Sequence, residues 1–550
     1  MQLLTNGWSR IEIIISNLSH VIEEHGISMN GWANVLDMEK KTVFLTGATG
    51  NMGWAGFQEL HARADRFVVR LLARPSGKNR KKLGPYMNDP SVEIVWGDLT
   101  NYEDVLRGVT GADYVLHVGG MVSPAADYFP EKTLKVNVSS SENVAKAVLA
   151  QPDPERIRVV YIGSVAQLGD RLAPHHWGRS GDPVMASAYD MYSVSKCRAE
   201  KVIVDSGIPH WVSLRQSGIL YPGILGVVNP TAFHVPVAGV LEWATIEDSG
   251  RLLANVCEDW VPDEFWNNFY NIGSGEQYRM TNYEFETRLL HALGLPGPEK
   301  VFEPQWFALK NFHGMWYEDS DVLENFLHFR GNVPVEEYFR RMKSKLPWFY
   351  NLAFLAPPFA VKMFMKPYAF EKGMGTQSWV NDNPEKMRAY YGSREAWESI
   401  KSWKDVIPPH LEKNIEKARE AGECISLDHG WDESKSVYEL TDEEIRSAAE
   451  FRGGKFLGSA GVEEAAADKG SVRPQDGGAA AQDSRAAASD SGAKPLRKPC
   501  ALYLWECEHG HRFTASLEYV LLGGGWCTEC PLDTLSTTTT PRNKFISQLL

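Results

Sequence analysis

Residues 41–54 of the chain, KTVFLTGATGNMGW, decide the fold. A strand pattern, TVFLTG, leads directly into a turn with three glycines, and a helical pattern follows. Glycines at this spacing permit a tight turn, close approach of backbone N–H groups to a pyrophosphate, and contact between helix and strand. The helix start adds a partial positive charge. An ordinary βα turn is the alternative, but the order strand, turn, helix favours a dinucleotide site. The residues expected to bind the dinucleotide here are Gly47, Thr49, Gly50, Asn51, Met52 and Gly53.

Short β-branched runs continue beyond this turn and alternate with helix-length segments to about residue 330. They include FVVRLLA, VEIVWG, ADYVLHVGG, IRVVYIGS and HWVSLRQ. Strands separated in this way are typical of repeated βαβ units and a parallel sheet. We therefore predict an α/β fold over residues 41–330, a doubly wound parallel sheet of the Rossmann type with a smaller substrate-binding cap.

The length of 550 residues leaves room for further units around this domain. Residues 1–40 have no strong pattern, and we expect the natural start of the protein to lie near Met38. The alternative is that these residues form an amphipathic leader. Residues 331–455, rich in aromatics and prolines, predict a helical extension. Residues 456–498 are dominated by small and polar side chains and predict a flexible linker. Residues 499–550 would then form a separate small module.

Composition and charge exclude several classes of protein. The chain has 57 Lys and Arg against 70 Asp and Glu, a net charge of −13. That balance speaks against a general binder of nucleic acid or anionic membranes, although a local basic pocket remains open. No uninterrupted apolar window reaches the length of about 18 residues that a transmembrane helix needs. The N-terminus lacks a signal-peptide pattern. We expect a cytoplasmic protein, and a homodimer is compatible with the sequence.

The segment after the second predicted strand bears on the choice of nicotinamide cofactor. NAD-binding domains usually place an acidic residue there, on the ribose 2′-OH. This chain has Arg74 instead, with Lys78 and Arg80 close behind it. A guanidinium can pair with a 2′-phosphate, which favours NADP; a solvated basic loop is the alternative, and NAD remains open. After the third strand, Asp98 is placed to bond the adenine amino group.

Three residues further along the chain suggest proton-transfer chemistry. The strand IRVVYIGS ends in Ser164, and YSVSK places Tyr192 and Lys196 one helical turn apart. A phenol has an ordinary pKa of about 10, and a neighbouring ammonium lowers it. Tyr192 could then exchange a proton with a substrate oxygen that Ser164 also hydrogen-bonds. YxxxK alone occurs by chance, but together with the serine and the glycine turn it becomes specific.

These motifs resemble the short-chain dehydrogenase/reductase superfamily in its extended branch, over about residues 41–330. The resemblance rests on TGATGNMG, GDLT, VLHVGG, VNV, GSVAQLG, YSVSK, LRQSGILYPG, WATIEDSGRLL and YNIGSGE. It implies a catalytic set of Ser164, Tyr192 and Lys196, with Asn137 organising the proton relay. It also implies hydride transfer at C4 of a nicotinamide, with Leu99, Gly119, Tyr192 and Lys196 among the cofactor-binding residues.

The extended branch contains several chemistries, between which local sequence can choose. Sugar 4,6-dehydratases carry an acidic pair after the strand serine, whereas this chain reads SVAQLG, which makes a dehydratase an unfavourable interpretation. The segment VLHVGGMVSP and Arg74 resemble the reductases and 3β-hydroxysteroid dehydrogenases. We expect an oxidoreductase for a secondary alcohol or ketone, with a steroid-like or other lipophilic small-molecule substrate. A nucleotide-sugar epimerase with tightly bound NAD is one alternative, and a nucleotide-sensing scaffold is another.

Two apolar segments follow, at 305–317 (QWFALKNFHGMWY) and 346–365. They are interpreted as core of the second region; a pocket wall for a flat lipophilic substrate or a surface that rests on a membrane are the alternatives.

The C-terminal module contains a metal-ligand pattern. Cys507 and His511 are followed by the pair Cys527 and Cys530, a set of three thiolates and one imidazole. Such a set suits a closed, structural zinc site and resembles treble-clef and zinc-ribbon modules. His509 competes with His511 as the fourth ligand. A zinc ion would supply much of the folding energy of so small a module.

Overall fold

A computed structural model of the chain describes residues 40–461 and 497–530. Its centre is a parallel sheet of seven strands. The strands of the described residues are, in order, β1 Lys41–Thr46, β2 Phe67–Ala73, β3 Val92–Trp96, β4 Tyr114–His117, β5 Arg158–Ser164, β6 Trp177–Gly178, β7 His210–Gln216, β8 Ile219–Leu220, β9 Val240–Glu242, β10 Ala244–Thr245, β11 Asn268–Ile272, β12 Arg279–Thr281, β13 Trp316–Tyr317, β14 Lys455–Ser459, β15 Leu502–Glu506 and β16 Arg512–Ser516.

The α-helices surround this sheet and build the second region. They are α1 Asn51–His61, α2 Gly77–Leu83, α3 Tyr102–Val109, α4 Ala125–Tyr128, α5 Pro130–Leu149, α6 Met191–Val204, α7 Ile246–Asn255, α8 Asn282–Leu293, α9 Pro298–Val301, α10 Ser320–Leu327, α11 Val335–Ser344, α12 Pro358–Ala369, α13 Thr376–Asp382, α14 Pro384–Tyr391, α15 Arg394–Ser399, α16 Ile415–Glu420 and α17 Asp442–Phe451.

The central sheet has the strand order β3-β2-β1-β4-β5-β7-β11, and all its strand pairs are parallel. The order reverses between β1 and β4, which is the point where α/β sheets of this kind bind their ligands. The predicted doubly wound Rossmann sheet is confirmed.

Hydrophobic cores lie on both faces of the sheet because side chains alternate along each strand. In β1, Phe44 faces one core, whereas Val43 and Leu45 face the other. Helices α5 and α6 pack together on the first face, and α1 and α7 on the second. A Cβ atom at Gly250 of α7 would lie 2.7 Å from that of Ala55, so α1 and α7 are in close contact.

The cap consists of three two-stranded sheets, helices α8 and α9, and helices α11 to α16. Its strand pairs are β8–β10, β9–β12 and β6–β13. Aromatic side chains fill two cap cores: Phe233, Phe302 and Trp306 meet in one, and Phe285 and Phe339 in the other. The interpretation of segment 305–317 as core is confirmed at Trp306, which is buried.

The C-terminal segment does not form a separate module. Strands β14, β15 and β16 make one antiparallel sheet, so the predicted linker at 456–498 is wrong at its start, where β14 lies. Trp505 of this sheet belongs to the same hydrophobic core as Ile203, Trp211 and Phe269 of the Rossmann domain. The predicted leader, apart from Lys40, lies outside the described residues, as do 462–496 of the linker and 531–550 of the module.

Within 40–461 and 497–530, no helix has the length and apolar character that membrane crossing requires.

Candidate functional site

The glycine turn between β1 and α1 packs closely against itself and against the backbone after β4. Gly47 has a φ of +70°, which favours glycine, and a Cβ there would lie 2.8 Å from the Cα of Gly119. A Cβ at Gly53 would lie 2.3 Å from the carbonyl oxygen of Gly47. Gly50 is the N-cap of α1 and supplies no side-chain cap to its N–H groups. The turn therefore presents backbone N–H groups where a pyrophosphate would bind.

The other residues predicted to bind the dinucleotide at this turn differ in how exposed their side chains are. Thr49 is half-buried and Asn51 is exposed at the helix start. The side chain of Met52 is buried in the core, so Met52 can contribute only its backbone. Leu99 contacts the opposite wall, since a Cβ at Gly119 would lie 2.4 Å from its Cδ1 atom.

At the end of β2, Arg74 is exposed and Asp98 of the neighbouring strand end faces it. The carboxylate of Asp98 accepts hydrogen bonds from the backbone N–H of Thr100 at 2.9 Å and its hydroxyl at 2.8 Å. Burial raises the pKa of Asp98, but these bonds and the charge of Arg74 outweigh it, so the pKa lies below its ordinary value. A cation and an anion thus lie close together after the ends of β2 and β3.

Lys82 is a further basic group at the turn. Its Nζ donates a hydrogen bond to the carbonyl of Thr49 at 3.1 Å and lies 4.0 Å from the ring centroid of Trp54. Burial and the neighbouring charge of Lys78 lower its pKa. The basic run GKNRKKL of α2 was the available sequence signal, but nothing in it singles out this lysine.

Ser164, Tyr192 and Lys196 come together at the carboxyl end of the sheet. Ser164 is the last residue of β5, and Tyr192 and Lys196 lie in the first turns of α6, which Asp190 caps. The Ser164 hydroxyl lies close enough to the phenol of Tyr192 to oppose the rise in its pKa. The Nζ of Lys196 donates to the carbonyl of Ile162 at 2.8 Å. The structure therefore brings the three predicted residues into one site.

Burial dominates the pKa values of this site. It raises the pKa of Tyr192 to about 12, against the hydrogen bond from Ser164, and lowers that of Lys196 to about 8, against the charge of Glu200. The prediction that the ammonium of Lys196 lowers the pKa of Tyr192 is wrong, because desolvation of the phenolate has the larger effect. Tyr192 is consequently a protonated phenol at neutral pH, suited to donating its proton.

Asn137 lies beside this group in α5, with its amide fully used. Its Oδ1 accepts from the N–H of Met121 at 2.7 Å, and its Nδ2 donates to the hydroxyl of Ser195 at 2.9 Å and to the carbonyl of Met121 at 3.0 Å. A Cβ at Gly120 would lie 2.9 Å from Asn137 Oδ1 and 3.9 Å from Lys196 Nζ. Gly120, which we did not predict, therefore leaves open the space above Asn137 and Lys196.

A histidine and a carboxylate border Tyr192. His313 Nδ1 lies 3.3 Å from the carboxylate of Asp190, whose charge adds to the raised pKa of Tyr192. His313 is a lone histidine in the sequence and carried no signal, because its partner is more than a hundred residues away.

A buried polar network supports Ser164 from behind. The N–H of Ser164 donates to Gln167 Oε1 at 2.8 Å, and Gln167 Nε2 donates to Glu200 at 2.8 Å. Arg215 donates to both oxygens of Glu200, at 3.1 Å from Nε and 2.8 Å from Nη2, and to the carbonyl of Gly523 at 2.6 Å. The network thus joins the serine to the C-terminal segment.

The C-terminal cluster brings together the four predicted metal ligands. Their ligand atoms all lie within 4.8 Å of one another. Cys507 Sγ and Cys530 Sγ are 3.9 Å apart, and His511 Nδ1 is 3.8 Å from Cys527 Sγ and 2.7 Å from Cys530 Sγ. A tetrahedral zinc with Zn–S bonds of about 2.3 Å sets sulfur atoms about 3.8 Å apart. The donor set and the distance between the sulfurs of Cys507 and Cys530 fit such an ion, and His511, not His509, belongs to the cluster.

The family model described as NAD(P)H-binding matches residues 47–225, which include the glycine turn, Ser164, Tyr192 and Lys196. Among curated proteins, the UDP-glucose 4-epimerases of Rickettsia felis and Rickettsia bellii are each 28% identical, over 113 and 111 residues. These matches cover 20% of this chain, and the chain spans about a third of the length of these relatives.

Solved structures of similar fold include a dTDP-glucose 4,6-dehydratase from Streptomyces venezuelae with NAD bound, at 19% identity and a TM-score of 0.43 over 56% of this chain and 96% of that one. A UDP-glucose 4-epimerase from Bifidobacterium longum with NAD⁺ and UDP has 16% identity and a TM-score of 0.44 over 55% and 97%. The site residues inferred above do not depend on either. The parallel sheet and the glycine turn make this a Rossmann fold, residues 47–225 match the NAD(P)H-binding family model, and part of the chain is similar to UDP-glucose 4-epimerases.

Proposed function

We propose that the protein transfers a hydride between a nicotinamide and the carbon of a secondary alcohol or ketone. The observation that carries the proposal is that Ser164, Tyr192 and Lys196 lie together at the carboxyl end of the sheet, the end that also holds the glycine turn. When bound, the nicotinamide supplies or accepts the hydride at C4.

The chain's own residues would handle the proton. In carbonyl reduction the carbon gains the hydride, and the phenol of Tyr192 gives its proton to the oxygen. A phenol whose pKa is about 12 is protonated at neutral pH and fits this direction. The Ser164 hydroxyl would donate to the same oxygen, and the Lys196 ammonium would bind the nicotinamide ribose. Asn137 donates a hydrogen bond to Ser195, which precedes Lys196 in α6, and would act by positioning this part of the helix.

We favour NADP over NAD because of the end of β2. Arg74 is exposed there, and no acidic residue follows it in ARPSGKNRKK. Its guanidinium is free to pair with a 2′-phosphate, and Lys78 and Arg80 add positive charge in the same segment.

A lipophilic substrate fits the surface beside Asn137. Val122 and Phe129 are large apolar side chains that are 54% and 59% exposed, and the backbone of Met121, next to Val122, bonds the Asn137 amide. Exposed apolar side chains near a reaction site favour apolar ligands over sugars. A steroid-like secondary alcohol or ketone is therefore our first choice of substrate.

A nucleotide-sugar epimerase is the second candidate. The similarity to UDP-glucose 4-epimerases favours it, over the short segment that matches. The same Ser, Tyr and Lys set would serve, with the hydride taken from the sugar and returned to it, so that the dinucleotide stays bound.

One assay series separates the two candidates. Purified protein is given NADPH or NADH with steroid, aldehyde and open-chain ketone substrates, and nicotinamide absorbance is followed. The proposal expects net oxidation of NADPH by at least one lipophilic ketone. Interconversion of UDP-sugars by protein that retains NAD through gel filtration, without net oxidation, would favour the epimerase.

We further propose that Cys507, His511, Cys527 and Cys530 hold a structural zinc ion. Four protein ligands leave no open position for a substrate, so the ion would act on folding. Its test is the metal content of freshly purified protein: one zinc per chain supports the proposal, and the absence of any metal overturns it.

A further inference from the structure

An exposed apolar face lies on the cap, away from the sheet. It is formed by a 3₁₀ segment, Trp348–Leu355, and by α12. Trp348 and Leu355 are 74% and 65% exposed, and Phe359 and Met363 are 69% and 62% exposed. Phe354 and Phe364 complete this set, which we call the apolar face. So many large exposed apolar side chains in one short segment are rare on a monomeric protein and mark a binding surface.

Helix α12 is apolar on two sides. Its inner side chains, Val361, Met365 and Tyr368, pack against the cap core that contains Trp306. Its outer side chains, Phe359 and Met363, stand on the apolar face. A helix that is apolar all round is normally buried in protein or lipid. Core packing therefore accounts for the inner side only, and the outer side needs another partner.

The charge around the apolar face favours an anionic partner. Residues 340–372 contain seven Lys or Arg and one Glu, a net +6 in a chain of net −13. Arg341, Lys345 and Lys362 pair with glutamates of the protein. Lys366 and Lys372 are exposed at the carboxyl end of α12. Such interleaving of basic and large apolar residues is typical of helices that lie in the interface of a bilayer.

We propose that the apolar face binds the surface of an anionic lipid bilayer without crossing it. Helix α12 has 12 residues and a length of about 18 Å, shorter than the hydrocarbon core of about 30 Å. A second copy of the chain is a poorer occupant, because joining two such faces would bring two positively charged segments together. The proposal is independent of the substrate.

The segments that carry the apolar face also contact the turn after β8 and helix α4. Tyr350, in the same 3₁₀ segment, contacts the turn after β8, where a Cβ at Gly226 would lie 2.4 Å from its hydroxyl. Just beyond α12, Glu371 accepts a hydrogen bond at 2.6 Å from the hydroxyl of Tyr128, in α4. Lipid bound at the apolar face would therefore lie near the segments that contact the turn after β8 and helix α4.

Vesicle flotation of the full chain tests the proposal. The vesicles are equal parts phosphatidylcholine and phosphatidylserine, with phosphatidylcholine alone as the comparison. We expect the protein to float with the anionic vesicles, more weakly at high salt. The double variant Trp348→Ser/Phe359→Ser should lower the partition coefficient by about tenfold or more. Lys366→Glu/Lys372→Glu should reduce the preference for phosphatidylserine.

The matched control is Trp260→Ser. Trp260 is 51% exposed and lies near the amino end of β1, where its neighbour Asp259 pairs with Lys41. It should float like the unaltered protein, and circular dichroism should be the same for all variants. Equal flotation of Trp348→Ser/Phe359→Ser and the unaltered chain would overturn the proposal. So would absence of flotation, or a dimer that this double variant converts to monomer.

Discussion

Arg215, in the sixth strand of the Rossmann sheet, donates a 2.6 Å hydrogen bond to the carbonyl of Gly523, 308 residues later in the chain. The same guanidinium pairs with Glu200, and both side chains are 1% exposed. The C-terminal segment is therefore built into the back of the site that contains Ser164.

The first prediction concerns this buried pair. Arg215→Met leaves the Glu200 carboxylate without its cation, and we expect a loss of about 3–5 kcal/mol in the free energy of unfolding. Arg215→Met/Glu200→Leu removes the orphaned charge as well and should be more stable than Arg215→Met alone. Urea unfolding of the three proteins measures both differences. A cost below about 1 kcal/mol for Arg215→Met would contradict the importance of the pair.

The second prediction concerns the Cys and His cluster. Cys527→Ser should remove the zinc and lower the melting temperature, because the three-stranded sheet shares its core with Trp211 and Phe269. His509→Ala, a histidine outside the cluster, is the matched control and should keep both metal and stability. Elemental analysis and thermal unfolding give the two readouts. Unchanged stability in metal-free Cys527→Ser would show that the ion has no structural role.

The third prediction separates NADP from NAD. Arg74→Ala should weaken NADPH binding by about 10- to 100-fold and leave NADH binding unchanged, because only the 2′-phosphate pairs with the guanidinium. Lys81→Ala removes an exposed charge from α2 and should change neither affinity by more than about twofold. Fluorescence titration measures all four values. Equal loss for both nucleotides would place Arg74 outside the 2′-phosphate site.

The fourth prediction concerns the pH dependence of stability. Burial lowers the pKa of Lys196 from 10.5 to about 8. Between these values the unfolded chain holds a proton that the folded chain has released, so this group makes stability rise with pH there. At pH 7, Lys196→Met should therefore be more stable than the unaltered protein by about 2–3 kcal/mol. The gap should close as pH rises from 8 to 10.5. A gap that is constant over this range would mean that Lys196 is not desolvated.

Much of the fold follows from local sequence patterns. The Rossmann sheet is readable because each strand is a short β-branched run, and the glycine turn because Gly47, Gly50 and Gly53 are needed within one turn. Ser164 and Tyr192 can be predicted from sequence because Ser164 ends a strand and Tyr192 lies in the first turn of a helix, and the same patterns define both elements.

Contacts between distant segments could not be read in this way. Glu200 and Gln167 are ordinary polar residues in sequence, and only the fold brings them to Ser164. Strand β14 was interpreted as linker because its pairing partner, β15, lies beyond a long polar stretch. The raised pKa of Tyr192 depends on burial, which no spacing of Tyr and Lys reveals.

The most direct test of the central claim is the rate of hydride transfer in Tyr192→Phe, measured as NADPH oxidation with a ketone that the unaltered protein accepts. We expect kcat to fall by about 10²- to 10⁴-fold, because the phenol proton is lost, while the dissociation constant for NADPH stays the same. An unchanged kcat in Tyr192→Phe would contradict the assignment of Tyr192 as the proton donor.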